Sequence, residues 1–189
     1  MNNKVIIEEK ESVLFFDTDR RGNKEAMMDY GLAYTMKMCD TTYHKKQVNK
    51  SLLYSCRAIL SKLIGEDTQD TENLRIQTYF EWDDIDLVVE VYRNSSFWHV
   101  IMIENKVDSS LKPHQLKQYL EVFKNHYGNE AGWKQHYYLI KAADTIPEYM
   151  KTLCDEYGVK YTTMDDLIKG QKEDTGNDIF DEFWLREWE

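Results

Sequence analysis

The sequence predicts an α/β fold with a mixed central sheet, and three features of the chain support it. Strand-like and helical patterns alternate along most of its length. Two strongly β-branched runs flank a short polar turn at 93–96, which predicts an antiparallel hairpin. The later strands are separated by helical segments, which predicts parallel crossovers and places helices on the faces of the sheet.

The composition is that of a globular protein with one core. The chain has 189 residues, of which 42% are hydrophobic and 13% aromatic, which argues against a disordered protein. No apolar run is long enough to cross a membrane or to form the core of a signal peptide, so we expect a cytoplasmic protein without membrane contact. Three widely spaced cysteines, Cys39, Cys56 and Cys154, fit neither a disulfide framework nor a zinc site and are expected to be buried free thiols.

Two helices are expected before the strands. Helical patterns cover 24–38 and 43–64, preceded by a short apolar patch at 13–16. Thr41 or Thr42 is the expected N-cap of the second helix, and Gly65 ends it. The apolar stripe of this helix recurs at three- and four-residue steps from Val48, and its opposite face carries Lys46, Lys50 and Arg57.

The rest of the chain alternates strands and helices. Strands are expected at 74–82, 85–92, 97–107, 135–141 and 159–162, and helices at 113–127, 146–157 and 164–168. Residues 1–169 are predicted to form one domain with a core at about 43–165. Residues 170–177 are expected to link it to a C-terminal helix at 179–188 whose aromatic side chains pack on the domain, form a homodimer or bind a partner protein.

The net charge of −10 is unevenly distributed. Residues 20–62 hold nine basic and three acidic side chains, a local charge of +6. Such a surplus is either a solvated helix face or a surface for phosphate groups, since Lys and Arg attraction to the backbone dominates affinity for nucleic acids. We take Lys46, Lys50 and Arg57 as candidate contacts to nucleic acid, together with His114 at the start of a later helix.

Two short acidic stretches form the candidate site. Side chains alternate along a strand, so Glu104 and Lys106 share one face while Asn105 points to the other. A three-residue loop at 94–96 would place Asp86 directly across from Glu104, and Asp84 across from Lys106. Two carboxylates at that distance repel each other, and a hard divalent cation such as Mg²⁺ or Mn²⁺ is the natural partner for them.

Roles for the individual residues follow from this chemistry. Asp86, Glu104 and the backbone carbonyl of Asn105 are the candidate metal ligands. Lys106 would stabilise developing charge or help to position water. Gln115 and Tyr119, four residues apart on one helix face, could orient the lysine or contact phosphate. Each motif alone is also typical of a solvated ion pair on a strand.

The combined pattern resembles the PD-(D/E)XK nuclease superfamily. Ile85-Asp86 stands at the position of its Pro-Asp, Glu104-Asn105-Lys106 at its (D/E)-x-K, and Gln115 to Tyr119 is similar to the Gln-x-x-x-Tyr helix motif of one branch, which is bacterial and phage. The resemblance implies a restriction-endonuclease-like core: a helix, an antiparallel meander of three strands, a crossover helix and a fourth strand. It also implies a metal-dependent nuclease, with DNA as the expected substrate.

Two departures from the family keep other functions open. The proline before Asp86 is absent, and the helix at 43–64 contains no carboxylate, so Glu25, Asp29 or Glu81 would have to supply the acid that the family often takes from its first core helix. One alternative is a catalytically inactive member of the fold that binds nucleic acid or protein in a defence, repair or phage complex. Another is a regulatory protein whose acidic tail mimics DNA.

Overall fold

The computed structural model describes residues 24–43, 48–128 and 132–186, which form six α-helices and five strands. The helices are α1 (Lys24–Lys37), α2 (Lys50–Ile64), α3 (Pro113–Tyr127), α4 (Glu148–Tyr157), α5 (Met164–Ile168) and α6 (Asp178–Leu185). The strands are β1 (Leu74–Trp82), β2 (Ile85–Arg93), β3 (Ser96–Lys106), β4 (Lys134–Lys141) and β5 (Lys160–Thr163). The apolar patch at 13–16 and the side chain of Lys46 lie outside the described residues.

The five strands form one mixed sheet in the order β1-β2-β3-β4-β5. β1, β2 and β3 pair antiparallel as a meander, whereas β4 joins β3 and β5 joins β4 in parallel. Helix α3 connects β3 to β4, and α4 connects β4 to β5, as parallel strands require. The predicted fold class, a mixed α/β sheet of the restriction-endonuclease type, is confirmed.

Helices cover both faces of the sheet because side chains alternate along the buried strands. One face of β2 and β3, with Leu87, Val89 and Ile101, packs into a core with α1, α2, α5 and α6. The other face, with Val88 and Met102, packs against α3 and α4. The central strands are therefore apolar on both sides, and a charged group on them enters a dry environment.

The register of the β2–β3 hairpin agrees with the prediction over its central part, although its turn is shorter than expected. Arg93 pairs with Ser96 across a two-residue turn, not with Phe97. A β-bulge between Val91 and Tyr92 then shifts the pairing by one residue, so that Leu87 faces Ile103 as predicted. Asp84 lies outside this ladder in the β1–β2 turn with φ 66°, so its predicted pairing with Lys106 is wrong.

Helix α2 begins later than its sequence pattern suggests. Asn49 is its N-cap, because the Asn49 side chain accepts a hydrogen bond from the backbone N–H of Leu52, at 3.0 Å. Thr41, an expected cap, lies in a separate 3-10 turn at Thr41–Tyr43, and Val48 is exposed. Gly65 ends the helix in the left-handed conformation, as predicted.

The C-terminal helix is part of the core. Phe180, Phe183 and Trp184 are fully buried, and the Trp184 indole N–H donates a hydrogen bond of 2.7 Å to the hydroxyl of Thr35. The Phe183 ring lies so close to Gly31 of α1 that a side chain at that position would overlap it. These three aromatic side chains are therefore unavailable to a partner protein or a second copy, and the packing interpretation is the correct one for them.

Two further predictions concern the cysteines and the membrane. Cys39, Cys56 and Cys154 are buried free thiols, as expected. Among the helices of the described ranges, none combines the length and the apolar character needed to cross a membrane.

Candidate active site

The candidate site lies where the β2–β3 ladder ends. One step beyond the last pair, Leu87 with Ile103, Asp86 comes beside Glu104 on the face covered by α3. A carboxylate oxygen of Asp86 (Oδ2) accepts a hydrogen bond of 2.8 Å from the backbone N–H of Asn105. The backbone of β3 thereby holds the Asp86 carboxylate at the start of β2.

Lys106 joins the two acids from the same face of β3. Its Nζ is 2.7 Å from Oε1 of Glu104 and 4.0 Å from Oδ2 of Asp86. The same ammonium donates a hydrogen bond of 2.9 Å to the backbone carbonyl of Asn105. Glu104 has no exposed surface and Lys106 is 5% exposed, so these charges interact in a low dielectric.

Burial makes the negative charge on the two acids costly. Burial and the neighbouring Asp86 raise the pKa of Glu104 to about 7, although Lys106 opposes the shift. Burial also raises the pKa of Asp86 above its ordinary value. Burial alone would lower the pKa of Lys106, but Glu104 and Asp86 outweigh it and raise that pKa. Among the described residues, no donor makes a hydrogen bond to Oε2 of Glu104.

Helix α1 brings two more acids to this end of the sheet. The side-chain amide of Asn105, which points to the α1 face as predicted, donates a hydrogen bond to Asp29. Burial, together with Asp86 and Glu25, raises the pKa of Asp29 to about 6. Glu25, one turn earlier, accepts hydrogen bonds from the backbone N–H of Val107, at 3.2 Å, and from the hydroxyl of Ser109.

The first helix therefore presents carboxylates to the site, as the resemblance implies, but this helix is α1 and not α2. Glu81, the third acid considered from the sequence, is exposed on β1 at a position with φ 48°. Within residues 24–43, 48–128 and 132–186, Glu81 makes no described contact with a group of the site. Glu25 and Asp29, four residues apart on one helix, are the acids that the fold brings to the β2–β3 end.

Gln115 and Tyr119 lie on α3, which covers the same face as Glu104. The Gln115 amide donates a hydrogen bond of 2.5 Å to the Tyr119 hydroxyl. Burial raises the pKa of Tyr119, and the negative charges of Glu104, Asp86 and Asp84 add to the shift. Lys106 is held by Glu104 and the Asn105 carbonyl, so the expected orientation of the lysine by this pair is not seen.

Sequence reasoning missed Lys141, a second buried lysine next to the site. It lies on β4 directly beside Lys106 and is 7% exposed. Its ammonium donates a hydrogen bond to the backbone carbonyl of Val107, and burial lowers its pKa. The available signal was its position at the end of a predicted parallel strand, since the carboxyl ends of parallel strands share one edge of the sheet.

The expected nucleic-acid contacts have different environments. Lys50 and His114 are exposed, as such contacts require. Arg57 is 3% exposed and donates hydrogen bonds to the backbone carbonyls of Cys39, Thr68 and Gln69, so the prediction that it contacts phosphate is wrong. Its guanidinium instead binds the chain that folds over α2.

The donor set of the site suits a hard divalent cation. Asp86 and Glu104 supply carboxylate oxygens and Asn105 a backbone carbonyl, and Mg²⁺ commonly takes one or two carboxylates with water and phosphate as its remaining ligands. No three His, Cys, Asp or Glu side chains of the described ranges are arranged to hold an ion by themselves. The two carboxylates and the carbonyl therefore fit an ion that takes its remaining ligands from water and phosphate.

Comparisons with known proteins agree with this geometry. The family model described as the PD-(D/E)XK nuclease superfamily matches residues 15–179, which include every residue of the candidate site. No curated protein and no solved structure matches the chain significantly.

Proposed function

Since the chain belongs to the PD-(D/E)XK nuclease superfamily, we propose that it is a metal-dependent nuclease that hydrolyses the phosphodiester bonds of DNA. One observation carries the proposal: Glu104 is completely buried beside Asp86, and its pKa is raised to about 7. A buried charge is costly unless it is paired or bound to a metal, and strongly shifted pKa values cluster at functional sites.

Asp86, Glu104 and the Asn105 carbonyl would hold Mg²⁺ or Mn²⁺. When bound, the ion polarises the scissile phosphate and acidifies a water molecule at neutral pH. Without a cation, the negative charges of Asp86 and Glu104 repel each other. The same two charges would attract the cation. The hydrogen bond from the Asn105 N–H fixes the Asp86 carboxylate in place. Glu104 and the Asn105 carbonyl hold the Lys106 ammonium, which would move aside to admit the ion.

Lys106 would supply the positive charge that stabilises the phosphate as negative charge develops during cleavage. Its ammonium is already held at this position by Glu104 and the Asn105 carbonyl. The Gln115–Tyr119 pair, on the opposite wall of the site, would donate hydrogen bonds to a phosphate oxygen of the substrate. Lys50 and His114 would contribute weaker contacts to the backbone of nucleic acid.

Asp29 is the acid of α1 that we propose acts on the site through Asn105, whose side-chain amide it binds. Burial, with the negative charges of Asp86 and Glu25, raises the pKa of Asp29, whereas Asn105 and Lys106 oppose the shift. Glu25 has a different task, because its carboxylate binds the chain that follows Lys106 at Val107 and Ser109. Glu25 and Asp29 are therefore both proposed as positioning residues.

The test is DNA cleavage by the full chain in Mg²⁺ or Mn²⁺, compared with cleavage in EDTA. We expect cleavage only with metal, and its loss in Glu104→Gln, which keeps the shape of the side chain and removes its charge. Glu90→Gln is the matched control, since Glu90 is a second buried acid on the same sheet face. Equal rates for wild type and Glu104→Gln would refute the proposal.

The inactive binding module remains the second candidate, and one observation favours it: the acids of the described ranges do not by themselves form a metal cluster. This function predicts salt-sensitive DNA binding that is unchanged by metal, by EDTA and by Glu104→Gln. Binding measurements in the same series separate the two functions.

A further inference from the structure

An apolar groove lies beside the candidate site, between α1, β1 and the start of α6. It has a volume of ≈ 470 Å³, and its walls include Met27, Tyr34 and Ile179. Two aromatic rings at its rim are exposed to solvent: Tyr30 is 66% and Phe80 41% exposed, with ring centroids 5.0 Å apart. Exposed rings of this size on a groove wall indicate a binding surface.

The two exposed rings lie next to residues on the α1 side of the site. Tyr30 follows Asp29, which accepts the hydrogen bond from Asn105. Phe80 pairs with Leu87 across the β1–β2 ladder, and Leu87 follows Asp86. Directly paired residues share a face of the sheet, so Phe80 lies on the α1 face, where Asp29 meets Asn105. The groove therefore adjoins the α1 side of the site, and Asp86 and Glu104 point to the other face of the sheet.

The charge of the groove fits an anionic polymer. Among the described residues that line it, Lys37 is the only charged one, in a chain with a net charge of −10. The Lys37 ammonium donates a hydrogen bond of 2.9 Å to the backbone carbonyl of Ile76, which fixes it at the wall. Aromatic rings with a nearby cation are the combination that binds single-stranded nucleic acid, because a base stacks on the ring and its phosphate meets the cation.

We propose that this groove binds an unpaired nucleobase of the substrate strand, stacked on Tyr30 and Phe80, with an adjoining phosphate near Lys37. The inference rests on the proposed function and adds a substrate class to it: single-stranded or frayed DNA. Bases inside an intact duplex are already stacked on both faces and cannot use such a surface without being unpaired.

The test measures binding of a single-stranded oligonucleotide that carries 2-aminopurine, and of the matching duplex, to the full chain. Glu104→Gln serves as the background so that no strand is cut. In the Tyr30→Ala/Phe80→Ala variant, we expect single-strand affinity to fall at least tenfold, since stacking on one ring is worth about 1–3 kcal/mol. Quenching of 2-aminopurine should also be lost, while duplex affinity changes less than twofold. Tyr30→Trp should retain both signals.

Tyr149→Ala is the matched control, because Tyr149 is 51% exposed on α4, away from the groove. Equal losses for single strand and duplex would overturn the inference. So would unchanged binding combined with a lower melting temperature or a changed oligomeric state, since the groove would then be covered by the chain itself or by a second copy.

The same series distinguishes this inference from the proposed function. If the wild-type chain cleaves DNA but the groove variant binds single strands normally, only the inference on the groove fails. If the wild-type chain does not cleave with metal, while the groove variant loses single-strand binding and quenching, the nuclease proposal fails and the groove stands.

Discussion

Two buried carboxylates on the same face of the sheet, Glu90 and Glu104, have opposite environments. Glu90 on β2 accepts three hydrogen bonds, from the hydroxyls of Tyr92 at 2.6 Å and of Tyr79 and Tyr127 at 3.0 Å. Glu104 on β3 has an ion pair with Lys106, and its Oε2 has no hydrogen-bond donor among the residues that the structure describes.

The difference separates an acid that stabilises the fold from one that is available for chemistry. Burial and Glu90 together raise the pKa values of Tyr92 and Tyr127, so both hydroxyls keep the protons that they donate. Such a saturated network stabilises one arrangement of the sheet and α3. Among the described residues, Oε2 of Glu104 has no hydrogen-bond donor, and the pKa of Glu104 is raised. Glu104 can therefore serve as a ligand, but its burial lowers the stability of the fold.

Loss of Lys106 should give the largest effect. Lys106→Met removes the cation beside the phosphate, and we expect cleavage to fall about 10³-fold, or about 4 kcal/mol, as for other groups that stabilise transition-state charge. Tyr127→Phe, which alters only the Glu90 network, should cleave at nearly the wild-type rate. Single-turnover rates with saturating metal measure both. If Lys106→Met cleaves at the wild-type rate, the proposed catalytic role of the Glu104–Lys106 pair is refuted.

Loss of the Glu90 carboxylate should cost stability and not activity. Glu90→Leu removes the acceptor of the buried Tyr127 hydroxyl, whereas Tyr79 and Tyr92 can also donate to Oε1 of Gln77 at 3.1 Å. The free energy of unfolding should therefore fall by about 1–3 kcal/mol, the cost of one unsatisfied buried group. Urea denaturation measures this change, and cleavage is measured under conditions where the variant is folded. If Glu90→Leu unfolds at the wild-type urea concentration, the network is not what stabilises this face.

Divalent metal should stabilise the chain through the ligand set that includes Glu104, and not through Glu90. At a Mn²⁺ concentration of 100 Kd, binding to the folded state adds about 2.7 kcal/mol to the free energy of unfolding. We expect this gain in wild type and Glu90→Gln and its absence in Glu104→Gln. Thermal unfolding with and without Mn²⁺ is the measurement. A gain that survives in Glu104→Gln would place the metal elsewhere.

In EDTA, Glu104 should make the stability of the wild-type chain depend on pH. The folded state raises the pKa of Glu104 from 4.5 to about 7, so its protonated form is favoured by folding. The stability that this provides is fully present below pH 4.5 and is lost as the pH rises through 7. Relative to wild type, Glu104→Gln should therefore gain about 2–3 kcal/mol of stability between pH 5 and pH 8. A constant difference across that range would contradict the shift.

Much of the fold and the centre of the site could be predicted, because both follow from the two-residue period of strands. Alternation alone places Glu104 and Lys106 on one face and Asn105 on the other, and the hydrogen bond from Asn105 to Asp29 agrees. Strand–helix alternation likewise predicted the parallel strands β4 and β5. These inferences need only local geometry.

Features that depend on how elements pack together could not be predicted. Arg57 has the spacing of an exposed helix residue, but the chain at Thr68 and Gln69 folds over it and buries its guanidinium. The role of α1 was equally hidden, since only its packing against β3 turns Glu25 and Asp29 toward the site. Local periodicity gives the faces of a helix without saying what covers each one.

The bulge at Val91 and Tyr92 determines whether Asp86 and Glu104 point to the same face of the sheet. Without it, the two-residue turn would pair Asp86 with Ile103, and paired residues share a face. Asp86 would then point toward α1, on the opposite side of the sheet from Glu104. Deletion of Trp98, the extra residue of β3 at the bulge, about 20 Å along β3 from Glu104 at roughly 3.3 Å per residue, would thus separate them. Deletion of two residues would preserve their common face.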